Sequence, residues 1–98
     1  AIVPTAPVQA QVSDAQGRAL IVAERGELSN APALVRIETP PERCGQWTVT
    51  GWAGPWPVHE RWWAGGRPRA YLQVVCAGGP ALLLCAQDGG WTVEGIYD

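Results

Sequence analysis

The sequence predicts an all-β fold, a small antiparallel barrel or sandwich ending in a three-stranded meander. Twelve Gly and nine Pro punctuate 98 residues, so no window of eleven is free of both. An amphipathic helix needs an apolar stripe at i, i+3, i+4 and i+7 over about that length, and none fits between the breakers. Short runs instead alternate apolar and polar side chains with the period of two that half-buried strands show.

Residues 1–7 read as the end of a linker, because Pro4, Pro7 and small side chains oppose regular structure. A single domain is expected over 8–98. Val8–Val12 alternates, Ser13–Gly17 is a turn set, and Ala19–Ala23 is a second apolar run. Together they predict a hairpin. Gly26–Pro32 is a connector in which Ser29 could cap one helical turn by accepting from a free N–H. Leu34–Glu38 alternates again, with Leu34 expected inward. Pro40 and Pro41 then end the strand, since each lacks a donor and fixes φ.

Gln46–Trp52 is a strong strand candidate with Trp47 and Val49 on one face. Ala53–Pro57 is expected to turn or kink, because Pro55 and Pro57 push the residues before them out of the α region. Val58–Trp63 follows, then a loop at Gly65–Pro68. The last third is the most legible. Arg69–Cys76 and Ala81–Ala86 are strands on either side of the turn Ala77–Pro80; Gln87–Gly90 turns again before Trp91–Tyr97. Ala81–Ala86 is apolar on both faces, so it is expected to be central. Tight Gly-rich turns between three strands make a meander.

Composition narrows the function. At 47% hydrophobic and 16% charged, the chain is too apolar for disorder. Its apolar runs fall well short of the roughly 18 residues of a membrane-spanning helix. No basic region followed by an apolar one marks a secretory leader. The chain opens on Ala1-Ile2-Val3 without Met, as a fragment or processed product would. The net charge is −2, and residues 1–49 and 50–98 each sum to −1. Nucleic-acid binding wants clustered positive charge, and the nearest cluster is only Arg61, Arg67 and Arg69. Cys44, Cys76 and Cys85 contain no C-x-x-C pair, and His59 is the one histidine, too few ligands for a standard zinc site. The three cysteines read as reduced thiols of a cytoplasmic protein, with Cys76 and Cys85 as small core residues. His59 and Glu60 are adjacent and would face opposite sides of a strand, which defeats an acid–base pair. No nucleophile elbow, dinucleotide fingerprint or P-loop is present, so neither an enzyme nor a cofactor or metal site is expected.

The segment Trp52–Trp63 is different. It packs four of six tryptophans, two prolines and the histidine into twelve residues. These rings either roof one end of the barrel or form a partner surface. Trp62 and Trp63 are consecutive, so a strand would point them to opposite sides, and one is expected at the surface. Trp and Arg dominate binding hot spots. The candidate partner-binding residues are therefore Trp52, Trp56, Arg61, Trp62 and Trp63.

The same twelve residues resemble the W-A-G-P-W-P-V-x-E-R-W-W signature of actinobacterial ImuB proteins. The stretches Tyr71–Val75, Ala81–Leu84 and Trp91–Asp98 are similar to that family's C-terminus, and Gly26–Ser29 to a short upstream motif. His59 departs from the pattern, standing where the family often has an acid. The family comprises catalytically inactive Y-family DNA polymerase homologues of the damage-induced mutasome, which act as adaptors. The resemblance implies a non-catalytic interaction domain that docks an ImuA-type RecA-like protein, an error-prone replicative-type polymerase, or both. The sliding clamp would be reached only through the parent chain upstream. A second reading is a single-stranded-DNA-binding barrel, with Trp faces stacking on bases and Arg61, Arg67 and Arg69 holding phosphates.

Overall fold

The computed structural model describes residues 3–23, 26–58, 69–87 and 90–97. Among them six strands close an antiparallel barrel in chain order: β1 (Val8–Ser13), β2 (Leu34–Ile37), β3 (Gly45–Val58), β4 (Arg69–Cys76), β5 (Ala81–Gln87) and β6 (Gly90–Tyr97). β1 closes the ring by splitting its length: Val8, Gln9 and Ala10 pair with β6, and Gln11, Val12 and Ser13 with β2. The barrel and the C-terminal meander are those expected from the sequence.

Alternation fills the interior. In β1, Val8, Ala10 and Val12 are buried between exposed Gln9 and Gln11. In β4, Ala70, Leu72, Val74 and Cys76 are buried on one side. Leu72, Val74, Leu82, Leu84 and Val35 expose 1% or less, so they form the centre of the core. Each such side chain contributes about 1.5–3 kcal/mol by leaving water. In β2 the parity is opposite to expectation. Val35 and Ile37 are buried and Leu34 is only half-buried, facing outward with Ser13 and Thr48. A run apolar at both 34 and 35 leaves parity to the register, and the register chose Val35.

Ala19–Ala23 does not form the predicted second strand. β1 takes β2 and β6 as partners, and the run makes only isolated bridges, Ser13 to Ala19 and Val22 to Leu28. It belongs to an excursion between β1 and β2 that lays one side chain, Leu20, into the core while Ile21 stays exposed. Trp91 ties it down: its buried indole Nε1–H donates to the Leu20 carbonyl at 3.0 Å. Ser29 caps no helix; its Oγ accepts from the Ile21 N–H at 3.1 Å. Asp14, the one buried charged side chain described, organises the start of the excursion. Its Oδ1 accepts from the N–H groups of Gln16 and Arg18, both at 2.9 Å, and its Oδ2 from the Asn30 amide at 3.3 Å.

β3 is longer than expected. It runs on through the predicted break at Ala53–Pro57, absorbing it in two register shifts, between Val49 and Gly51 and between Ala53 and Trp56. Gly54 carries the second shift. Its φ is +102°, and a Cβ there would stand 2.9 Å from the Tyr71 carbonyl oxygen, so no other residue fits. The prolines are tolerated because the β2 ladder ends at Thr48. Beyond it, among the described residues, no strand pairs with the other edge of β3.

Candidate interaction surface

The outside of the barrel has two characters. Around β1, β2 and the start of β3 it is polar: Gln9, Gln11, Arg36, Gln46, Thr48 and Thr50 are exposed. Arg36 and Glu38 pair there at 2.9 Å, an exposed contact of little energetic weight. Around β4, β5 and the end of β3 it is apolar. Register alternation turns Tyr71, Gln73 and Val75 of β4 outward beside Cys85, Leu83 and Ala81 of β5. Trp56 stands opposite Tyr71 on one side of this face, and Tyr97 opposite Ala81 on the other. The Tyr97 ring folds back over Gly95, whose Cβ position lies 3.2 Å from the phenolic oxygen. Trp56, Val75 and Tyr97 expose 46%, 45% and 42% of their surface. Cys85 is on this outer side too, yet fully buried.

The two described tryptophans of the sequence candidate set are both exposed, Trp52 at 44% and Trp56 at 46%. They do not share a face. Trp52 pairs with Val74 on the core side, and is open because β3 has lost its β2 neighbour by that point. Trp56 pairs with outward Tyr71. Their spacing of four would put both on one side of a regular strand. The extra residue of the Gly54–Pro55 bulge reverses the alternation between them. At the first bulge, the Thr50 hydroxyl donates to the Val75 carbonyl at 3.2 Å.

The other two tryptophans described are structural. Trp91 is buried and Trp47 half-buried against the core. The Trp47 ring bridges two glycines. A Cβ on Gly79 would meet its pyrrole edge at 2.5 Å, and one on Gly45 its benzo edge at 2.6 Å. Of the remaining candidates, Arg61, Trp62 and Trp63 lie outside the described residues, as do His59, Glu60 and Arg67. Val75 and Tyr97 were not singled out from the sequence. The signal was present in β5: a strand apolar on both faces in a one-layer barrel must turn one of them outward.

Arg69 opens β4 on the outer side, half-buried, paired with Val58 and diagonal to Trp56. The one ion pair among the described residues is Arg36–Glu38. Cys44 is exposed, Cys76 and Cys85 are buried, and none is in a disulfide. Burial pushes the Cys76 thiol pKa up, away from the reactive thiolate. Among the described residues no three of His, Cys, Asp and Glu gather to hold a metal ion. No helix among them is long and apolar enough to cross a membrane. No family profile, curated protein or solved structure matches the chain.

Proposed function

We propose that this barrel is a non-catalytic adaptor domain. In this reading it belongs to an ImuB-like, Y-family-polymerase-related protein of damage-induced translesion synthesis in the cytoplasm. It docks an ImuA-type RecA-like protein, an error-prone replicative-type polymerase, or both. Trp56, with Arg61, Trp62 and Trp63 following it in the chain, forms the contact, and Trp52 extends it from the other face of β3 at the strand's open edge. The observation that supports this most is the position of Trp56. It is held on a hydrogen-bonded strand, outside a core already closed by Leu72, Val74, Leu82 and Leu84, with nearly half its surface in water. Exposed tryptophan on a rigid element is the residue type and setting of interface hot spots.

The DNA-binding reading has weaker support. Single-strand binders track the backbone with a positive groove. Here the described outer positions of β4 carry one arginine, and the chain as a whole is negative. The deciding experiment measures binding of the purified RecA-like protein and polymerase to the chain and to W52A, W56A, W62A and W63A, each checked for its unfolding midpoint. W56A is expected to keep its midpoint and bind at least about tenfold more weakly, a loss near 1.4 kcal/mol. Unchanged affinity in every variant rejects the adaptor surface. Salt-sensitive binding of oligo(dT) with no protein partner puts the DNA reading in its place.

A further inference from the structure

The outer face of β3–β6 has an order along the strands that narrows what it can receive. Reading down β4, the outward positions are Arg69, Tyr71, Gln73 and Val75. Their cross-strand neighbours are Val58, Trp56, Ala53 and Gly51 on β3, and Cys85, Leu83 and Ala81 on β5. Thr92, Gly95 and Tyr97 continue the rows on β6. Among the described residues, one cation therefore stands at one end of a face otherwise apolar or uncharged. The exception is Glu94, on β6 at the register shift between Leu83 and Leu84, two strands from Arg69. The guanidinium has no carboxylate partner among the described residues, whose one ion pair is Arg36–Glu38 at β2. From Arg69 to Val75 is seven residues, six steps of strand and about 20 Å, the span of an extended segment of the same length.

We propose that this face receives an extended apolar segment of a partner protein that carries an acidic residue at one end. The carboxylate pairs with Arg69 beside Trp56, and apolar side chains cover Tyr71, Val75 and Tyr97. The proposal rests on the adaptor reading and adds the chemistry of the segment recognised. Charge complementarity selects the acid, because an arginine beside aromatic rings binds carboxylate in a partly dehydrated setting. A nucleic acid would need several phosphate contacts, and the described residues of the face supply one cation.

The probes are two six-residue peptides, acetyl-Glu-Leu-Thr-Leu-Phe-Leu-amide and its Gln-for-Glu twin, titrated into the isotope-labelled chain and into R69Q and W56A. Amide and indole NMR shifts give both site and affinity. The acidic peptide is expected to bind at least about fivefold more tightly than its twin, with shifts at the Trp56 indole, Gln73, Val75 and Tyr97. R69Q should erase that preference, and W56A should weaken both peptides. Equal affinity for the twins, no binding, or shifts on the β1–β2 side overturns the proposal. So does salt-sensitive oligo(dT) binding lost in R69Q, which marks a DNA site, or a concentration-dependent dimer lost in W56A, which marks self-association. If the RecA-like protein or polymerase binds through Trp56 while the twins do not differ, only the acidic-segment proposal falls. If the twins differ and neither protein binds, only the mutasome reading falls.

Discussion

Gly79→Ala tests the packing that holds the β4–β5 turn to β3. Gly79 is not in the left-handed region, so its backbone accepts alanine without strain. Freed of other constraints, Gly→Ala in such a turn stabilises by about 0.4–1 kcal/mol through the unfolded chain. Here the new Cβ would stand 2.5 Å from Cδ1 and 2.8 Å from Nε1 of Trp47. Sliding along its length brings the ring against the Gly45 backbone, because its far edge already lies over Gly45, where a Cβ would stand only 2.6 Å from it. Trp47 must leave its place against the core, or the turn must lift, breaking the 2.8 Å hydrogen bond from the Ala77 N–H to the Thr48 carbonyl. Overpacking of this kind costs about 1–3 kcal/mol. At about 4–8 °C per kcal/mol for a domain of this size, the midpoint falls by about 5–20 °C. The assay is a double-mutant cycle by denaturant unfolding on the chain, G79A, W47A and G79A/W47A. With the ring removed, the glycine substitution should become neutral or slightly stabilising, so the sign of its effect changes between backgrounds. A G79A variant as stable as the parent, or one that loses equally with and without Trp47, refutes the reasoning.

Two further predictions concern titratable groups. The Arg18 N–H donated to Asp14 holds its carboxyl below the ordinary 3.8, against the opposite push of burial, with the Gln16 N–H and the Asn30 amide adding to the lowering. A depressed carboxyl pKa gives stability that is complete above the unfolded value and lost as pH falls through the folded one. D14A should therefore melt below the parent at pH 7, with the gap narrowing below about pH 4, which thermal scans across pH will show. A gap that does not change between pH 7 and pH 2 contradicts it. For the thiols, Cys44 should react with a maleimide in the native state, and Cys76 and Cys85 only on unfolding, as mass spectrometry with and without denaturant will show. Rapid native labelling of Cys85 would contradict its burial between Tyr71 and Thr92.

Most of the barrel was legible because the strands obey local rules. Val8, Ala10 and Val12 alternate with Gln9 and Gln11 in the sequence as they do in burial, and Arg69–Cys76 is an unbroken run of strand formers between Gly- and Pro-bearing segments. The Gly-rich turns at 77–80 and 87–90 are short enough to force neighbouring strands antiparallel. The candidate surface was legible only in part. Its tryptophans stood out by number and crowding, whereas Val75 and Tyr97 are ordinary residues that become a surface only when the register places them beside Leu83 and Ala81.

What the sequence determined by itself was therefore the strand identity of most segments and the surplus of aromatic rings over the space a small core can offer. Propensity, the period of two and the turn residues act over a few positions and need no partner strand. The tertiary structure decided which side each ring takes. Trp52 and Trp56 are four apart and would share a face, but a single residue accommodated at Gly54–Pro55 sets them on opposite sides of β3. Whether a bulge forms depends on the ladder with β4, whose Tyr71 carbonyl leaves room for no Cβ at position 54. Leu34 and Val35 exchanged roles for the same kind of reason. Shifting a register by one residue turns every side chain over, and only closure of the barrel, with β1 shared between β2 and β6, selects the register.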